Sequence, residues 1–463
     1  MPEVRSNETV DESKYLSSDY LKHMFLDFVQ MKEFLRKPLI FNRGEGVWIW
    51  DVKGEKYLDG ISGVWVVNIG HGNKRVINAI KEQLDKLCFT SPIYSTNPRA
   101  VELAHLLTEI TPENLKTVKL LTGGSEATET AMKLARQYFK QTGNPYKFKI
   151  ISRYLNFHGV TLGSLSATGI ASRKWMFEPL CAGFLHVPPP YCLRCPYERT
   201  YPECDVLCAR MLEYVIQSEG PSTVAAFISE PIQLSTGNIT PPHEYFPIIR
   251  EVCSKYNVIL IYDEVITGFG RTGNMWGAQT FKAIPDIICM GKGISSGYAP
   301  LAGIAFRDDI ADAFLGEEDE SVEFAHGHTY GGNPVASAAG VAALRELIDH
   351  DLPGRAREMG AYLMKRLEEL KELGIVGEVR GKGLMLGVEF VKDDRTMEPF
   401  PKDVRFGVQV GKNCIHNHKL LIRYAPDWIA LAPPLTITRE EIDILMEKLI
   451  AGVKEAVQKV KAC

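Results

Sequence analysis

Between about residues 100 and 310, short apolar runs alternate with amphipathic stretches. The runs TVKLL (117–121), KFKIIS (147–152), VAAFIS (224–229), VILIY (258–262), DIICM (286–290) and LAGIAF (301–306) have strand length and are rich in β-branched residues. Between several of them the apolar positions recur at helical spacing, over 99–110, 125–140, 206–219 and 243–256. Unbroken apolar strands alternating with helices predict an α/β fold whose mainly parallel sheet is covered on both faces.

After about residue 330 the pattern changes. A helix-rich stretch (334–372) leads into GEVRGKGLMLGVEFV, which reads as a strand hairpin. Thr438 and Glu441 then form a capping box, and Ile442, Leu445, Met446, Leu449 and Val453 line one face of a final helix. Residues 44–70 read as a short sheet with its lead-out. The expected organisation is an N-terminal segment (1–70) packing with a small α+β domain (331–463), around a large domain (71–330) that carries a cysteine-rich insertion (190–208).

Composition narrows the function classes. Of 463 residues, 45% are hydrophobic and 24% charged, with a net charge of −4. There is no basic excess to suit nucleic acid or an anionic membrane. The opening MPEVRSNETVDESKYLSSDY is polar and acidic, unlike a secretory signal, and no apolar run reaches the about 18 residues of a membrane span. Cys88, Cys181, Cys253, Cys289, Cys414 and Cys463 are scattered, as thiols of a reducing compartment are. A soluble cytoplasmic protein is expected. Cys192, Cys195, Cys204 and Cys208 instead cluster as C-x2-C-x8-C-x3-C. Structural zinc, an iron–sulfur cluster, free thiols or local disulfides all remain open for them.

Ligands of an open parallel sheet gather at the carboxyl ends of its strands. TVKLL runs into TGGSEATETAMKLAR, where Gly123, Gly124 and Ser125 open a helix whose free N–H groups suit a phosphate. KFKIIS leads to Phe157 and His158, VAAFIS to Glu230, VILIY to Asp263 and Glu264, and DIICM to Lys292 between two glycines. A carboxylate or lysine at a buried strand end is costly unless it meets a partner. Taken together, a phosphate cup, an aromatic ring, carboxylates and an amine match the needs of pyridoxal phosphate.

The stretches LTGGSEATETAMKLAR, FHG, SEPI, IYDEVITGFGRTGNMWG, PDIICMGKGISSGYAPLAG and HTYGGNP resemble the class III (ω-) aminotransferases of fold type I over nearly the whole chain. The resemblance implies that Lys292 bonds the cofactor aldehyde and afterwards serves as general base, and that Asp263 pairs the pyridine nitrogen. It implies Val265 and Phe157 on the two ring faces, with Phe157 where the family usually has Tyr. It places His158 and Glu230 beside the cofactor and Gly124 and Ser125 on its phosphate. Thr329 would reach the phosphate of a partner chain, which implies a homodimer, alone or paired into a tetramer, with shared sites and ping-pong turnover.

For the substrate, the resemblance points Arg423, in LLIRYAPDWIALAPPL, at a keto-acid carboxylate. Relatives acting on ornithine or GABA with 2-oxoglutarate read E-P-I-Q-G-E, and their second Glu holds that arginine aside. This chain reads EPIQLS, with Leu234 and Ser235. GISGVWVVNIGHG resembles the amine:pyruvate branch, with Trp65 lining the substrate pocket and Phe89 as a second wall. The expected donor is an ω-amine or ω-amino acid (β-alanine, taurine, a diamine or an aryl amine) and the expected acceptor pyruvate. A 2-oxoglutarate-dependent aminotransferase, or an aminomutase or decarboxylase of the same fold, stands as the alternative.

Overall fold

The computed structural model describes residues 12–461. Cys463 and the first eleven positions of the N-terminal segment lie outside them. The centre is a seven-stranded sheet in the order Leu115–Leu121, Ala302–Arg307, Ile287–Met290, Ile259–Asp263, Val224–Ser229, Lys149–Arg153, Phe184–Val187. Every residue of Val224–Ser229 and Ile259–Asp263 is buried, as their unbroken apolar text requires. Helices Pro98–Ile110, Gly124–Gln141, Leu207–Glu219 and Tyr245–Lys255 fall in the predicted intervals.

Ala302–Arg307 departs from the parallel arrangement and runs antiparallel to both neighbours. The cause is the loop 291–301, which is too short to cross over through a helix and so turns the chain straight back. Sequence patterning also misses Phe184–Val187, a half-buried edge strand too mixed in character to stand out.

Two four-stranded sheets flank this core. In one, Phe41–Glu45, Trp48–Asp51 and Lys56–Asp59 form a meander, and Leu420–Leu421 adds parallel to its last strand. In the other, Val376–Gly381 and Leu386–Phe390 pair antiparallel and are joined by Trp428–Leu431 and Arg423–Tyr424. The helix Arg439–Lys461 begins with the reciprocal cap: Thr438 N–H donates to Glu441 at 3.0 Å and Glu441 N–H to Thr438 Oγ1 at 3.2 Å.

Arg271, from the stretch GFGRTG, ties these layers together. Its guanidinium is fully buried and donates to Asn68 Oδ1 (2.6 Å), Ser62 Oγ (3.2 Å) and the carbonyls of Leu384 and Pro433. Burial lowers its pKa to about 9, opposed by the nearby Asp59 carboxylate. Gly383 packs directly on the same loop. At its φ of +56° an added Cβ would lie 2.5 Å from Gly273 N, so only glycine fits.

Candidate active site

The sheet register builds the site. Asp263 ends its strand opposite Cys289 of the parallel neighbour, and Lys292 leaves that neighbour three residues later. Ser229 pairs with Tyr262 on the other side, which puts Glu230 next in line. With the start of helix Gly124–Gln141 and the Phe157–Gly159 turn, these strand ends enclose a cavity of about 200 Å³.

Asp263 is nearly buried and fixed on both oxygens. Oδ1 accepts from Val265 N–H (3.2 Å) and Oδ2 is 2.8 Å from His158 Nδ1. The carboxylate thus has a set orientation before anything binds. Glu264, its neighbour in sequence, points the other way. It accepts from Thr267 Oγ1 and from the N–H groups of Gly277 and Ala278 (2.7 Å each), while burial raises its pKa to about 7. Only one of the two adjacent carboxylates serves the cavity; the other secures the loop that follows.

Glu230 accepts from Phe157 N–H (2.8 Å) and Leu234 N–H (3.3 Å). Burial, with Asp263 adding to it, raises its pKa to about 8 against those two donors. Lys292 faces both carboxylates, yet burial outweighs them and pulls its amine down to about 8. An amine so lowered gives up its proton more readily than an ordinary lysine, and its neutral form is available as a nucleophile or base. Its backbone is left-handed, at φ +45°. Ser62, Trp65, Phe269 and Ser296 also have positive φ, so strain collects in the segments packed around this loop.

At the helix start, an added Cβ on Gly124 would come within 3.1 Å of Val265 Cγ1. Gly159, at φ +137°, passes so close to Ser125 that a Cβ would lie 2.5 Å from its Oγ. Ser125 Oγ already accepts from Val160 N–H at 3.1 Å, which leaves its own proton to donate. Glu126 reaches back to Thr122 N–H and Oγ1 (3.0 and 2.6 Å), just ahead of the helix start, and so fixes the entry of the chain into the helix. The cavity therefore combines a helix N-terminus, an oriented carboxylate, an amine and the apolar side chains of Phe157 and Val265 in its lining. These features fit pyridoxal phosphate.

Other expected residues lie elsewhere. The Trp65 ring centroid is 5.9 Å from Lys292 Nζ, and its buried Nε1 has no partner. Thr329 and Phe89 do not meet this chain's cavity. They line a separate concavity of about 920 Å³ on the outer face, where the Phe89 ring is 5.9 Å from Tyr330. Arg423 lies exposed on its two-residue strand, outside the cavity lining. The four clustered cysteines surround a pocket of about 20 Å³ as free thiols. Burial pushes Cys192 and Cys208 up to about 11 and about 12. No three His, Cys, Asp or Glu side chains among the described residues stand arranged to hold a metal ion. Of the readings open for this cluster, the structure shows the free thiols.

The family description Aminotransferase class-III matches residues 31–453. The chain belongs to this family. A curated relative, the adenosylmethionine-8-amino-7-oxononanoate aminotransferase of Methanocaldococcus jannaschii, is 37% identical over 95% of this chain and 97% of its own. The putrescine–pyruvate aminotransferase of Pseudomonas aeruginosa is 36% identical over 95% of each. Among solved structures, a PLP-bound amine transaminase from an uncultivated Pseudomonas species superposes with a TM-score of 0.89 at 38% identity, covering 94% of this chain and 98% of that one. As a class III aminotransferase the protein is PLP-dependent. When bound, the cofactor supplies an aldehyde that condenses with amines and a ring that takes up electron density from a breaking C–H bond.

The electrostatics predict a pH signature in the apoprotein. Glu230 has a folded-state pKa raised from 4.5 to about 8, so the folded form holds a proton there that the unfolded chain releases. That contribution is complete below pH 4.5 and is lost as the pH rises through about 8. Glu230→Gln should therefore gain melting temperature relative to wild type as the pH goes from 5 to 9. A constant difference between the two melting curves would mean that Glu230 is ionised in the fold throughout.

Proposed function

We propose that this aminotransferase transfers the amino group of a primary amine or ω-amino acid to pyruvate. The observation that carries the reading is the state of Arg423. Among the described residues burial and Tyr424 act on it and no carboxylate does, and by the family resemblance Ser235 takes the place of the glutamate that would hold it aside. A free guanidinium pairs readily with one carboxylate. The cavity lining holds no cation besides Lys292, which suits an acceptor with one carboxylate better than a diacid. Trp65 beside Lys292 adds an apolar wall for the carbon chain of the amine. The relative named for putrescine and pyruvate points the same way.

In this reading Lys292 would serve as the base that takes the proton from the substrate carbon, and Asp263 would face the ring nitrogen of the bound cofactor. Phe157 and Val265 would hold the ring, and Ser125 with the helix start would hold the phosphate. Thr329 and Phe89 serve the site of a second copy, so the working form is a homodimer. Ile93 and Tyr94, 81% and 88% exposed beside the same concavity, are the apolar surface that such a copy would cover. A cytoplasmic setting suits nine described cysteines that are all unpaired.

Lys292→Ala should lower turnover by about a thousandfold or more while leaving the fold intact, and multiple turnovers at the wild-type rate would remove Lys292 from the chemistry. Arg423→Ala should raise KM for pyruvate about tenfold or more, with little change in the half-reaction of an amine that lacks a carboxylate. Equal losses in both halves, or a wild-type preference for 2-oxoglutarate in an acceptor panel, would refute the pyruvate reading. Ile93→Glu should halve the solution mass measured by light scattering and abolish activity. A wild-type monomer with full activity would end the shared-site reading.

A further inference from the structure

The group that meets Asp263 from behind is His158, and what stands behind His158 is unusual. His158 Nε2 lies 3.3 Å from Asn156 Nδ2 within the same turn, and both side chains are buried. Asn156 Oδ1 is buried as well and has no hydrogen-bond partner. A buried amide with one end unpartnered by protein carries a desolvation cost that an apolar side chain of the same shape would remove. Its other end therefore has something to do.

We propose that Asn156 is a positioning residue that keeps His158 neutral, with its proton on Nδ1, so that Asp263 faces the cavity with its full negative charge. A neutral imidazole offers one donor and one acceptor, and a carboxylate only accepts. The 2.8 Å contact with Asp263 therefore needs the proton on Nδ1. That leaves the lone pair of Nε2 turned into the protein interior, where the Asn156 amide N–H meets it. A donor at this position opposes a second proton on Nε2. Had an acceptor stood there, Nε2 would be protonated too, and the resulting imidazolium would neutralise Asp263 from behind.

The turn is fixed so that the two side chains stay in line. Asn156 C=O accepts from Gly169 N–H at 2.9 Å, Phe157 N–H donates to Glu230, and His158 N–H donates to Thr168 Oγ1 at 2.9 Å. The proposal deepens the reading of Asp263 as partner of the ring nitrogen, and its decisive test needs no cofactor.

Nitrogen-15 NMR of the apoprotein with labelled histidine, assigned by loss of the signal in His158→Gln, reports the protonation of both ring nitrogens. In wild type at neutral pH, Nδ1 should carry a proton and Nε2 should be bare. In Asn156→Asp, which puts only acceptors at that position, both nitrogens should be protonated. In the loaded enzyme the same variant should lower kcat of the amine half-reaction about tenfold or more with KM nearly unchanged. Wild-type His158 with a bare Nδ1, or with both nitrogens protonated, overturns the proposal whether or not the variant folds. An Asn156→Asp protein whose His158 signals match wild type also overturns it. If the NMR outcome holds while kcat is unmoved, the role assigned to Asp263 fails and the tautomer assignment stands.

Discussion

Everything at this site depends on placing two carboxylates and one amine in a small buried cavity without letting them collapse into a simple ion pair. Asp263 is occupied by His158 and by the Val265 amide; Glu230 is occupied by the amides of Phe157 and Leu234. Each acid has its own donors, so neither needs Lys292. The lysine is left with burial as the dominant influence and remains close to losing its proton. A direct salt bridge from Lys292 to either acid would have made the amine a permanent cation and a poor nucleophile.

That arrangement in turn requires rigid supports from distant parts of the chain. Strand register sets the spacing of Glu230, Asp263 and Lys292 along the sheet edge. Arg271 then locks the loop after Asp263 against the N-terminal segment and the C-terminal lobe through four acceptors. Glu264 performs a similar service within the loop by gathering three donors. The two most deeply buried charges of the motif DEVITGFGR outside the cavity are thus structural, and their cost falls on keeping one carboxylate in place.

Much of this was legible before the fold was known, for identifiable reasons. Lys292 and Asp263 stood out because a charge at the end of an unbroken apolar strand has few explanations. The helix start that faces the cavity was visible in glycines followed by Ser125. Other assignments needed three dimensions. Asp263 and Glu264 are adjacent and alike in the text, and only the turn after the strand separates their directions. Phe89 and Thr329 were expected around the site, yet in a single chain they lie together on an outer face. The four cysteines had suggestive spacing, but spacing says nothing about whether sulfur atoms converge. Asn156 left no trace in the pattern at all, because its significance is a contact with a ring two residues away.

Sequence alone determined the α/β class, the strand ends that carry chemistry, and the family, because these follow from local periodicity and from residue types placed at apolar boundaries. Tertiary structure decided which carboxylate faces the cavity, that burial lowers the pKa of Lys292 there, and which expected residues stand apart. Those outcomes depend on desolvation and on donors brought in from other strands, and both are properties of the packed interior that no single stretch of chain contains.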